Sequence, residues 1–159
     1  MHAINMLALL LLGASPLSAL AAEPAPSTAT LQIQSNHPDN LWHYRTYQDG
    51  ANCKGLSHPN RVAGPIGIPA SGPFTFFVSA ASSGSLSHYR YCWSNVTFTP
   101  EAGQRYLARF DFGRDTCRVA VVKTGADGTE PPTSVDIQLR AYKPPFLQSG
   151  SWCGKPIKQ

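Results

Sequence analysis

No Asp, Glu, Lys or Arg occurs before Glu23, and beyond that point no apolar run approaches the roughly 20 residues a membrane helix needs. No Cys-x-x-Cys and no close Cys/His pair occurs, which excludes the usual zinc spacings. No Gly-x-Ser-x-Gly elbow presents a serine nucleophile, and His37, His43, His58 and His88 are scattered with no acid at a catalytic spacing. No run of like charges appears. The net charge of +4 is spread along the chain, which argues against a dedicated nucleic-acid binder and leaves room for weak attraction to acidic glycans, lipids or proteins. Helical periodicity is missing too: 14 prolines and 13 glycines interrupt nearly every segment before a helix could form.

What is present begins with a leader. Residues 6–12 form an apolar core of signal-peptide length, Pro16 and Ser18 break it, and Ala19-Leu20-Ala21 places small residues at a cleavage site. Cleavage is predicted after Ala21, with Ala22 as the neighbouring option. No cysteine follows to accept a lipid. The reading is a signal peptide over 1–21, a flexible Pro/Ser/Ala-rich lead-in over 22–30, and one domain over 31–159, periplasmic or secreted. Cys53, Cys92, Cys117 and Cys153 follow the leader, an even count that predicts two disulfides in an oxidising compartment.

Short alternating segments between turn residues predict an all-β, antiparallel Greek-key-like sandwich of about seven or eight strands. Period-two alternation assigns faces. In QRYLARFDF, Tyr106, Ala108, Phe110 and Phe112 share one side, and Arg105, Leu107, Arg109 and Asp111 the other. TCRVAVV sets Cys117, Val119 and Val121 against Arg118, Ala120 and Val122. SVDIQLRAY sets Val135, Ile137, Leu139 and Ala141 against Asp136, Gln138, Arg140 and Tyr142. Between two strands, TPEAGQRY places Pro100 to stop a ladder, Gly103 to take positive φ and Tyr106 to open the next strand. This turn resembles the tyrosine corner of Greek-key immunoglobulin- and fibronectin-like folds, a resemblance that implies a bond from the Tyr106 hydroxyl back to the corner's backbone. The order of cysteine strand, PEAG turn, tyrosine and Cys-Arg-Val-Ala-Val strand, over residues 53–122, also resembles small uncharacterised secreted β-sandwich proteins of bacteria, a likeness that implies no activity.

Taking the last two strands as antiparallel neighbours favours Cys117 with Cys153, and so Cys53 with Cys92. The main competitor is Cys92 with Cys117, which requires their strands to lie in opposite sheets.

Candidate chemistry is sparse. Asp111 and Asp136 could face one another as a carboxylate pair, but the nearby arginines are their expected company. His43 and Tyr47 share a strand face without a metal-ligand spacing, and no cofactor is expected. Arg105, Arg109, Arg118 and Arg140, from strands expected to be adjacent, form a candidate face for an acidic glycan or protein. Strict alternation in YRYCWSNVTF sends Tyr89, Tyr91 and Trp93 to the side opposite Cys92, Val96 and Phe98, an exposed aromatic stripe on which sugar rings or a partner protein could be bound. A bulge at Ser94-Asn95 would reverse that parity and bury Trp93, and burial is favoured because large rings usually go inside. The sequon Asn95-Val96-Thr97 falls in a strand, where modification is not expected. The residues therefore predict an exported binding or structural protein without catalysis, its partner an unknown protein or envelope glycan. The alternative is an inhibitor or immunity-type protein that acts through the Cys53 loop over 48–61.

Overall fold

The computed structural model describes residues 27–36, 41–58, 60, 64–82, 90–112, 117–125, 131–147 and 149–157. The leader and its cleavage site lie outside these residues. Among the described residues eleven strands follow one another: β1 (Thr28–Ser35), β2 (Leu41–Asp49), β3 (Lys54–Leu56), β4 (Ile66–Pro69), β5 (Phe74–Ser82), β6 (Arg90–Phe98), β7 (Arg105–Phe112), β8 (Cys117–Thr124), β9 (Thr133–Ser134), β10 (Gln138–Tyr142) and β11 (Cys153–Ile157). They build two sheets, one ordered β4-β1-β7-β8-β9 and the other β11-β10-β6-β5-β2-β3. The excess over the expected seven or eight strands comes from the short edge pieces β3, β4, β9 and β11. Neighbours are antiparallel except β1 and β7, which run parallel from Thr30 opposite Arg105 to Ser35 opposite Phe110. β1 begins at Thr28, inside the expected lead-in, because β4 and the Gln104 carbonyl satisfy its backbone there.

Alternation makes the core. The five-stranded sheet turns Leu31, Ile33, Tyr106, Ala108, Phe110 and Val121 inward, against Phe74, Phe76, Val78, Val96 and Phe98 of the six-stranded sheet. Phe76, Phe110, Leu31, Val78 and Val96 are fully buried. Burial of each such side chain contributes about 1.5–3 kcal/mol. The β7 reading holds in full: Tyr106, Ala108, Phe110 and Phe112 are buried while Arg105, Arg109 and Asp111 are exposed. The corner holds as well. Gly103 has φ of 75°, and the Tyr106 hydroxyl accepts the Glu101 N–H at 2.8 Å, five residues upstream.

The segment read as one strand, TSVDIQLRAY, divides. β9 pairs with β8 in the five-stranded sheet, and the Val135 N–H still donates to the Val121 carbonyl. The chain then crosses, and β10 pairs with β6 in the other sheet. Alternation carries no mark of this crossing, because Val135, Ile137 and Leu139 all contact the same core, two from the crossing and one from the new sheet.

That crossing overturns the favoured disulfides. The bonds are Cys53–Cys153 and Cys92–Cys117. Because β10 leaves β8, the tail returns beside β10 as β11, on the six-stranded sheet, and meets the β2–β3 turn there. Cys117, at the start of β8, is left to reach across the sandwich to Cys92 on β6. The Cys53–Cys153 bond spans 100 residues and Cys92–Cys117 spans 25. In the chain-entropy account such loops are worth about 4.7 and 3.5 kcal/mol respectively.

Non-reducing peptide mapping is expected to recover Cys53 joined to Cys153 and Cys92 joined to Cys117. Replacing Cys92 and Cys117 together with serine should lower unfolding free energy by about 3–4 kcal/mol, read from urea midpoints. A Cys53–Cys92 peptide, or an unchanged midpoint, would contradict this arrangement.

Candidate functional site

The outer face of the six-stranded sheet divides into a covered part and an open part. The covered part begins at the turn after β2. Asp49 accepts from the Asn52 backbone N–H at 3.1 Å and from its side-chain amide at 2.9 Å. These two bonds, the side-chain one foremost, hold the Asp49 carboxyl below its usual range, with Lys54 adding to the effect. Cys53 then takes φ of 54°, and Gly50 is packed too closely against the Pro73 and Thr75 backbone to carry a Cβ. Thr75 Oγ1 donates to the Gly50 carbonyl at 2.5 Å and lies 2.7 Å from Thr97 Oγ1. The turn is thereby folded onto the sheet.

The tail closes over the same region. The Trp152 backbone N–H donates to the Cys53 carbonyl at 2.9 Å, and the Ser151 hydroxyl to the Asn52 backbone carbonyl at 2.8 Å. Trp152 stacks on Tyr142, which lies against Phe77, so that Tyr47, Cys53, Phe77 and Trp152 form a second, smaller core. Beneath it the Tyr47 hydroxyl donates to Asn95 Oδ1 at 2.6 Å. Burial pushes the Tyr47 phenol well above its ordinary value. The sequon asparagine is fully buried, with its Oδ1 held by Tyr47 and its Nδ2 inaccessible and without a hydrogen-bond partner.

The open part lies further along β6. The β5–β6 register runs without a shift from Phe74 opposite Phe98 to Ser82 opposite Arg90. The bulge that would bury Trp93 does not form. Trp93 is 44% exposed and Tyr91 48%, with ring centroids 5.0 Å apart and planes tilted by 47°. Cys92, between them, points into the sandwich and is bonded to Cys117. The pair therefore stands on a strand anchored at its midpoint. His43 and Arg45, half-buried on β2, share this face: His43 pairs with Ser79, which in turn pairs with Trp93. Two strand spacings separate His43 from Trp93, about 10 Å.

The arginines are not one cluster. Arg105, Arg109 and Arg118 are exposed on the outer face of the five-stranded sheet, with Arg109 opposite Ala120 and Arg118 opposite Asp111. Arg140 lies on the other sheet, where its guanidinium donates to the Ala51 carbonyl at 3.2 Å and to Gln138 Oε1 at 3.3 Å. The crossing after β9 separates it from the other three. Arg105 borders an open cleft of about 350 Å³ with Thr30, Gln32 and Leu107, whereas Arg140 borders one of about 220 Å³ with Asp136 and Thr97. Asp111 lies on β7, opposite Arg118, whereas Asp136 lies in the crossing between β9 and β10 and borders the Arg140 cleft, so the structure does not join them as a carboxylate pair. Among the described residues no group of three His, Cys, Asp or Glu side chains could hold a metal ion. His37 and His88 lie outside the described residues.

Of the 48–61 segment, read as a long loop, Gln48 and Asp49 end β2, residues 50–53 make a tight turn, Lys54–Leu56 form β3 and Asn60 is bridged to Tyr44, while Pro59 and Arg61 lie outside the described residues. Its exposed tip is Ala51-Asn52. Sequence reasoning also passed over Phe146 and Leu147, two adjacent apolar residues in a loop that are 103% and 67% exposed. Their signal was an apolar pair between Pro-Pro and a polar Gln-Ser-Gly run.

No protein-family model, no curated protein and no solved structure matches the chain.

Two measurements test this geometry. Iodide should quench a component of tryptophan fluorescence that disappears in Trp93→Phe; an unchanged quenchable fraction would place Trp93 inside. Because burial raises the Tyr47 phenol, its contribution is complete below the unfolded tyrosine pKa of about 10 and is lost as pH rises towards the folded value. Alkaline unfolding should therefore steepen above that point in the wild type and flatten in Tyr47→Phe, as read by circular dichroism against pH.

Proposed function

We propose that the protein is an exported binding module without catalysis, working in the periplasm or outside the cell, and that the Tyr91–Trp93 pair on β6 takes a glycan of the envelope. The single observation that carries this reading is the exposure of both rings on a strand held by a disulfide. Large aromatic side chains are normally buried, and an exposed pair marks a contact surface. Sugar rings present C–H faces that pack on indole and phenol faces, while their hydroxyls need polar neighbours. His43 and Arg45 supply such neighbours on the same face. The rings lose little freedom on binding, because Cys92 already fixes the strand between them.

Export is supported by the apolar leader and by the two disulfides, which belong to oxidising compartments. The arginines support a glycan site less well, since Arg140 is engaged by Ala51 and Gln138 and the other three lie on the opposite sheet. An inhibitor or immunity-type role for the Cys53 turn has one observation in its favour, the Ala51-Asn52 tip pre-organised by Asp49 and the disulfide. Two exposed residues offer far less area than the roughly 800 Å² per partner of a standard interface.

The test is co-sedimentation of the disulfide-bonded protein with insoluble peptidoglycan, chitin and cellulose. Wild type should be retained on at least one, and Trp93→Ala should weaken that retention about tenfold, or 1.4 kcal/mol. Retention on none of the three, or equal retention of the variant, would overturn the glycan reading. Loss of binding in Asn52→Arg with Trp93→Ala unaffected would move the site to the Cys53 turn.

A further inference from the structure

The five large exposed hydrophobics among the described residues, Tyr91, Trp93, Phe146, Leu147 and Ile157, all belong to the six-stranded sheet or to the loop between its last two strands. Phe146 is the extreme case, as exposed as a free side chain. Several contacts nevertheless constrain the described residues on either side of it. The Lys143 N–H donates to the Trp152 carbonyl at 2.8 Å and closes the base. The Gly150 N–H donates to the Leu147 carbonyl at 3.0 Å and closes the tip. Pro144 and Pro145 fix φ just before Phe146, and Gly150 is packed against Pro145. Cys153, the next residue, is bonded to Cys53. A loop so constrained could have turned its two apolar residues onto the second core, where Trp152 already lies. It presents them to solvent instead.

The charge around this tip has one dominant sign. The β2–β3 turn, β10, the loop and β11 meet through the Cys53–Cys153 bond, the Ser151–Asn52 hydrogen bond and the Arg140–Ala51 hydrogen bond. Their cations are Lys54, Arg140, Lys143 and Lys155, and their acid is Asp49. The three lysines are exposed. β10 runs antiparallel to β6, with Leu139 opposite Val96 and Arg140 opposite Asn95, so the loop leaves the sheet towards the Trp93 end of β6.

We infer that Phe146 and Leu147 form a docking tip for an anionic bilayer surface, entering the boundary between headgroups and acyl chains while Lys54, Lys143 and Lys155 meet acidic lipid headgroups. Two adjacent apolar side chains on a convex tip match a bilayer, which accepts them without a complementary pocket. The basic surround matches the negative surface potential of acidic lipids, which attracts nearby Lys and Arg side chains. Two apolar residues and a few lysines give reversible adsorption, not insertion, in the manner of single-signal membrane anchors. This inference takes from the proposed function only the exported compartment, and its test uses lipids that carry no glycan, so the two readings fail separately.

Sedimentation with vesicles of phosphatidylcholine and phosphatidylglycerol in equal amounts should retain the wild-type protein, and vesicles of phosphatidylcholine alone should not. Phe146→Ser/Leu147→Ser should lower the partition coefficient at least tenfold, with near-ultraviolet circular dichroism unchanged because both residues are exposed. Lys143→Glu/Lys155→Glu should lower it comparably, and salt should do the same to the wild type. Equal partition of the apolar variant and wild type would overturn the proposal. So would binding indifferent to the charge reversal. Absence of vesicle binding by the wild type would also overturn it, and loss in the apolar variant of an exported protein that wild type captures would then assign the tip to a protein pocket.

Discussion

Cys92 must point into the sandwich, because its sulfur is joined to Cys117 on the opposite sheet. Side chains on a strand alternate, so this one bond sends Tyr91 and Trp93 outward and Val96 and Phe98 inward with it. A bulge could have broken the link between these choices, but the unshifted β5–β6 register leaves no place for one. The candidate binding surface is therefore a consequence of how the two sheets are tied together. The same parity directs Asn95 and Thr97 outward, onto the face that the β2–β3 turn and the tail then cover.

Covering that face creates the second core. Phe77 and Tyr47 lie on the outer side of their sheet, where antiparallel sandwiches usually meet water. Here they lie under Trp152 and the Cys53 turn. The arrangement buries polar groups as well as rings, and most of these have partners: Tyr47 with Asn95, and Thr75 with Thr97 and Gly50. The tail ends up with two roles. Its base seals the inner half of the outer face, and its tip carries Phe146 and Leu147 away from the body.

Much of the sandwich was legible in the residues. The faces of β7 and β8 followed from alternation, the corner from Pro100, Gly103 and Tyr106, and the number of disulfides from the even cysteine count. The division of TSVDIQLRAY was not legible. A chain that leaves one sheet for another can keep an apolar residue at every second position, since both sheets present apolar faces to one core. The pairing of the cysteines and the scattering of the arginines were hidden behind that same crossing. Trp93 was misread for a different reason: the preference of large rings for the interior is strong on average, and here a neighbouring disulfide outweighed it.

The amino-acid sequence by itself determined the class of fold, the inward and outward faces of β7 and β8, and the turn at Pro100 and Gly103, because these depend on residues adjacent in the chain and on a period of two. Which strands became neighbours, which cysteines met, and which apolar residues were left in water were decided only in the tertiary structure. Those outcomes depend on contacts between segments up to 100 residues apart, and no local pattern records which of several compatible partners a strand or a sulfur will find.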